Sequence, residues 1–184
     1  LRAKRYAAGA IAFESSEVKF ELDERGAPIR AFKKERVETM LMIEDFMLLA
    51  NREVATHIYN LSKDKGRELA FVYRIHDTPD PDRVEELGMF LRAIGYEFET
   101  HKGIVKATEI NKLLKEVAGK PEENLIKTAS IRTMAKAVYS TKNIGHFGLA
   151  FKFYTHFTSP IRRYPDLMSH RMLRKHLDGT MIGP

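Results

Sequence analysis

Two periodicities divide this chain. Val18, Phe20 and Leu22 alternate with Lys19, Glu21 and Asp23, the period of a strand with one apolar face. Arg25-Gly26 then supplies a turn and Pro28–Phe32 a return strand, so a β-hairpin is expected over residues 17–33. From Met40 the period changes. Ile43, Phe46, Met47, Ala50, Val54 and Ile58 recur at three- and four-residue steps, which predicts a long helix running to Gly66.

The remaining elements follow from the same two templates. Residues 2–12 suit an opening helix, and 69–76 a short strand of the buried type. Asp77–Asp82 is an acidic, proline-containing loop before an amphipathic helix that ends near Gly95. Residues 96–101 suit extended chain, and helices are expected over 107–119 and 122–140. Residues 144–157, with glycines among aromatics, suit extended chain again. There is no internal repeat. The fold class is α+β, mainly helical, with a short β-hairpin and a few strands.

Composition narrows the setting. With 184 residues, 43% of them hydrophobic, the chain can bury a core. The absence of cysteine excludes a disulfide framework or thiolate metal site and fits a cytoplasmic protein. No run approaches the roughly 18–20 apolar residues of a membrane span, so no membrane partner is expected. The basic, then small-apolar opening is too short for a signal peptide and is read as a helix. It begins at Leu1 in a helix-like pattern, which suggests a segment of a longer protein. The net charge of +6 matters chiefly where it clusters.

It clusters in "YTHFTSPIRRYPDLMSHRML", Tyr154–Leu173. Ser159-Pro160 reads as a turn start, and Pro165 could not sit inside a helix begun at Pro160. A short turn over 160–164 and a helix from about Pro165 to Gly179 are therefore expected. Arg162 and Arg163 lie between two sets of free backbone N–H groups, a setting that suits an anion. Asp166 offers the plain alternative, an Arg–Asp capping network without ligand. Tyr154, Phe157 and Tyr164 add rings that can stack bases, and guanidinium forks bind phosphate, so the segment points to nucleic acid.

Other candidates are weaker. Glu44 and Asn51 are two helical turns apart and share a face, where Glu44 could accept from a ribose hydroxyl; Asp45 reads as part of a solvent stripe. The Asp77, Asp80 and Asp82 loop is explained by turn chemistry and the preference for negative charge at a helix N-terminus, and it lacks the EF-hand spacing. His146, His156 and His170 are expected to make structural hydrogen bonds, and no His pair has zinc-binding helical spacing.

"RAKRYAAGAIAFESSEVKFELDERGAP", "IEDFMLLANREVA" and "NIGHFGLAFKFYTHFTSPIRRYPDLMSHRML" together resemble the RNB catalytic domain of the ribonuclease II and ribonuclease R family, nearer its bacterial ribonuclease R branch. The resemblance covers essentially the whole chain. It implies processive, magnesium-dependent 3′-to-5′ hydrolysis of single-stranded RNA to nucleoside 5′-monophosphates. Arg162 matches the arginine that contacts the catalytic phosphate, with Arg163 the next candidate, and Glu44 matches a glutamate that holds the terminal nucleotides. Tyr154, His156 and Tyr164 are expected RNA contacts beside them. The family's magnesium-binding aspartates belong to an upstream motif with no counterpart here, so no metal ligand is assigned within the chain. The chain therefore looks like the C-terminal portion of an RNB domain, without the metal-binding half or the flanking cold-shock and S1 domains. It is expected to be inert alone. A non-catalytic RNA-binding or scaffold module is the alternative.

Overall fold

The computed structural model describes residues 1–13, 18–180 and 183. Residues 14–17, including the expected first residue of the hairpin, lie outside that set. Among the described residues there are two hydrophobic cores and two two-stranded sheets.

The opening helix, α1 (Arg2–Ala7), is shorter than its sequence pattern. Gly9 adopts φ +98°, and the N–H groups of Gly9 and Ala10 return to the carbonyls of Tyr6 and Arg5. Such a left-handed closure satisfies the last carbonyls and ends a helix. The chain beyond is held straight instead: Asn111 bonds Ala10 O and Ala12 N, and Ile11 N–H donates to Gly148 O.

The hairpin forms as expected, β1 (Val18–Leu22) against β2 (Pro28–Lys33), antiparallel, with Gly26 in its turn at φ +80°. Asp23 caps the turn by accepting from Arg25 N–H and Ala27 N–H. The alternating pattern finds no apolar layer among the described residues: Val18, Phe20, Leu22 and Ile29 are all more than half exposed. α2 (Glu38–Asp64) fills the predicted long helix. Its first half also leaves Met40, Met42, Ile43 and Phe46 about half exposed, whereas Ala55 and Ile58 are fully buried.

Ala55 and Ile58 pack with Leu69, Phe71 and Tyr73, and with Phe153, Met172 and Leu173 at the margin. The strand expected over residues 69–76 is reduced to β3 (Tyr73–Ile75). A second core gathers Val84, Leu87 and Leu91 of α3 (Pro81–Ala93), Ile110, Leu113 and Leu114 of α4 (Ala107–Glu116), and Ile126 of α5 (Glu123–Thr133). Asp80 caps α3 through the N–H groups of Asp82 and Arg83, which gives the acidic loop expected before this helix a specific role. Residues 96–101 form no strand, but Tyr96 and Phe98 point alternately into this core.

The helix expected over 122–140 stops at Thr133, and Val138–Ser140 is a strand, β4. It pairs antiparallel with β3, Arg74 opposite Tyr139. The ladder bonds satisfy backbone groups that a longer helix would have satisfied internally. Residues 144–157 are irregular apart from a 3₁₀ turn at Phe147–Leu149. α6 (Tyr164–Leu177) closes the chain. No described helix is long and apolar enough to cross a membrane.

Candidate nucleic-acid interface

The arginine turn is built from its own backbone first. The Ser159 carbonyl accepts from the N–H groups of Arg162 at 3.3 Å and Arg163 at 3.1 Å. α6 then begins with Pro165 in its first turn, where a missing N–H costs nothing. Asp166 is fully buried; its Oδ2 accepts from Ser159 N–H and from Arg163 Nη2, both at 2.8 Å. The two adjacent arginines thus divide. Arg163 is committed to an internal carboxylate, the plain capping network the sequence offered as an alternative. Arg162 is exposed, and among the described residues its side chain makes one long contact, Nη2 to Ser159 Oγ at 3.5 Å.

Three elements hold the chain leading into this turn. From α2, Asn51 Oδ1 accepts from Phe157 N–H at 2.9 Å and Asn51 Nδ2 donates to Tyr154 Oη at 3.1 Å. From α6, His170 Nε2 donates to Phe157 O at 2.8 Å, and its ring stacks on Phe157 with centroids 3.8 Å apart. From the strand region, Val72 O accepts from Thr155 Oγ1 at 2.6 Å. His146 likewise takes a structural bond, accepting from Leu149 N–H.

The remaining expected contacts scatter. Tyr154 is only 5% exposed, its ring enclosed by His146, Phe151 and His156. This interior ring cannot stack a base as it stands; burial raises its phenol pKa. Tyr164 is 65% exposed at the start of α6. Glu44 is exposed and pairs with Arg36. Asp45 is no solvent stripe: its side chain is 11% exposed and takes Arg2 at 3.2 Å and Arg5 at 3.4 Å, fastening α1 to α2. Sequence spacing could not show this, because those arginines stand on α1, 43 and 40 positions away along the chain.

His156 sits half-buried beside the turn, Nδ1 2.7 Å from Tyr139 Oη. Burial, then the positive charge of Arg163, and further Arg74 and Arg162, lower its pKa to about 4, with Asp166 opposing. Arg74 and Tyr139 were not singled out by sequence reasoning. The Arg74 guanidinium lies 4.7 Å from the Tyr139 ring centroid. The signal that could have found them is alternation: Arg74 stands between buried Tyr73 and partly buried Ile75, which point to the opposite strand face.

Among the described residues no group of three or more His, Asp or Glu side chains could hold a metal ion. Asp77 and Asp80 bond local backbone N–H groups of the loop and of α3.

The family model described as the RNB domain matches residues 1–179. Ribonuclease R of Aquifex aeolicus is 40% identical over 183 residues, covering 99% of this chain and 25% of that protein. The structure of Mycoplasma genitalium ribonuclease R with ribose-methylated single-stranded RNA matches with TM-score 0.84 at 32% identity, over 96% of this chain and 27% of that one. Yeast Ssd1, described as a pseudonuclease, matches with TM-score 0.65 at 25% identity, over 82% of this chain and 18% of that one. The chain spans about a quarter of the length of the ribonuclease R proteins it matches.

Proposed function

The chain belongs to the RNB domain family, and we propose that it supplies the phosphate-gripping side of a processive, magnesium-dependent 3′-to-5′ exoribonuclease acting on single-stranded RNA in the cytoplasm, with nucleoside 5′-monophosphates as products. The observation that carries this reading is the division of labour in the arginine turn. Arg163 and Asp166 fold it, and Arg162 is left exposed at a helix start.

A guanidinium presented in this way can donate two N–H groups to the non-bridging oxygens of the scissile phosphate and stabilise the charge that develops there. Glu44, held by Arg36 through Oε2, offers its other oxygen to a ribose hydroxyl, which distinguishes RNA from DNA. The exposed ring of Tyr164 is placed to stack a base. Bound magnesium would supply water activation and leaving-group stabilisation. The described residues do not form a site for it, and its carboxylates would come from the rest of the protein.

The test uses 5′-labelled single-stranded RNA in magnesium buffer. This chain alone, the full-length protein that carries it and its Arg162→Ala variant are compared. The chain alone is expected to be inert. The full-length protein should shorten RNA from the 3′ end, and the variant should do so about 10²–10³-fold more slowly. Shortening by the chain alone would overturn the assignment of the metal ligands. A second reading, a non-catalytic RNA-binding module, is favoured by the match to Ssd1; salt-dependent binding by the full-length protein without shortening would select it.

A further inference from the structure

The β3–β4 ladder puts an arginine and a tyrosine on one strand face, next to the arginine turn. Arg74 and Tyr139 are register partners, and partners across an antiparallel pair present their side chains to the same face. The guanidinium over the Tyr139 ring is oriented by that contact, but a cation–π pair leaves its charge unneutralised. Tyr139 is fixed in turn by its phenol bond to His156 at 2.7 Å and by an edge-on ring contact at 5.6 Å. Arg74 itself is half-buried and makes no ion pair with a described carboxylate.

Its other neighbours do not compensate the charge. His76 donates from Nε2 to Ala135 O and accepts at Nδ1 from Gly148 N–H, which defines a neutral ring. His146 lies 4.9 Å from His76 between ring centroids and Tyr154 5.3 Å further along, both uncharged when so buried. Asp77 acts on His76 and Asp166 on His156, but neither carboxylate forms an ion pair with Arg74, and a partly desolvated guanidinium without such a partner gains from an incoming anion. Two bonds tie this strand face to the chain leading into the turn, Arg74 N–H to Tyr154 O at 2.9 Å and Tyr139 Oη with His156 Nδ1 at 2.7 Å, and the charges of Arg74, Arg162 and Arg163 all act on His156.

We propose that Arg74 binds a backbone phosphate of the same RNA strand that Arg162 grips, with Tyr139 and His156 as the residues that position it. This rests on the reading of the chain as part of an exoribonuclease. It adds a phosphate contact on the β3–β4 ladder, which is tied by Arg74 N–H to Tyr154 O at 2.9 Å to the segment leading into the turn.

The test is the salt dependence of RNA binding by the full-length protein carrying this chain. A 5′-fluorescein-labelled oligoadenylate is used, in chelator so that no metal-dependent cleavage intervenes, from about 50 to 200 mM salt. Arg74→Gln should weaken binding about tenfold and lower the log–log salt slope by about 0.7, the loss of one single-strand phosphate contact. Arg74→Lys should retain the slope, and Arg174→Gln, an exposed and ion-paired control on α6, should match the parent. A normal slope for Arg74→Gln beside a reduced slope for Arg162→Gln would overturn the inference and leave the function intact. Absence of any salt-dependent binding by the parent would instead sink the functional reading itself. Photo-crosslinking of thiouridine-containing RNA to the unmodified protein avoids any folding defect. Crosslinks should map to residues 137–142 as well as to the arginine turn; crosslinks at the turn alone would count against Arg74.

Discussion

Asn51 and Phe157 are 106 positions apart and share a 2.9 Å hydrogen bond, Phe157 N–H to Asn51 Oδ1. The same buried amide donates to Tyr154 Oη. One side chain therefore joins α2, which carries Glu44, to the segment that ends in the Arg162 turn. The positions of two expected RNA contacts are coupled through it.

Asn51→Ala should leave two buried polar groups without their partner, at about 1–3 kcal/mol. At roughly 2–4 °C per kcal/mol for a chain of this size, thermal melts followed by circular dichroism will resolve the loss. An unchanged midpoint would contradict the clamp.

The two arginines of the turn should separate stability from activity. Arg163→Ala strips a fully buried carboxylate of its counter-charge, which typically costs about 3–5 kcal/mol; the partial exposure of Arg163 argues for the lower end. Arg162→Ala removes an exposed side chain and should stay within about 0.5 kcal/mol of the parent. Urea denaturation of the pair checks both, and equal losses would refute the division.

Stability should fall with acid before the carboxylates titrate. Burial, then His76, brings His146 to about 3, with Arg74 and His156 adding to the shift; burial and Arg163 bring His156 to about 4. Both values lie below the ordinary 6.5, so between them the unfolded chain binds more protons. The contribution is complete above about pH 6.5 and is lost progressively as the pH falls toward the folded values. Melting midpoints should drop from about pH 7 to 5, and less steeply in His146→Gln. A flat profile would show that the rings are not held neutral.

Gly103→Ala should destabilise strongly. Gly103 has φ +72°, and an added Cβ would stand 2.6 Å from Pro81 Cβ and 2.8 Å from its Cα and carbonyl oxygen. A backbone contact of that kind cannot be relieved by turning a side chain, so the start of α3 must shift. A midpoint equal to the parent's would show that it shifts freely.

Most of the fold could be read from local pattern. The long helix, the hairpin turn at Gly26, the Asp80 cap and the start of α6 at its proline follow from interactions within a few residues. What failed was non-local. Val138–Ser140 lies at the end of a helical pattern, and only a partner strand from far upstream draws it into a sheet. Asp45 looks like surface until Arg2 and Arg5 reach it. Tyr154 looks like a stacking ring until Asn51 and three aromatic neighbours enclose it.

The candidate site divides in the same way. The sequence by itself determined the segment and its chemistry, since two arginines, two prolines and an aspartate within one turn and one helix start leave few local conformations. Tertiary structure decided which arginine faces outward and which is consumed by Asp166, and it alone brought Arg74 and Tyr139 beside them. The physical reason is range. Backbone preference and side-chain periodicity act over one or two turns, whereas charge pairing and burial are settled by whichever distant element packs against the site.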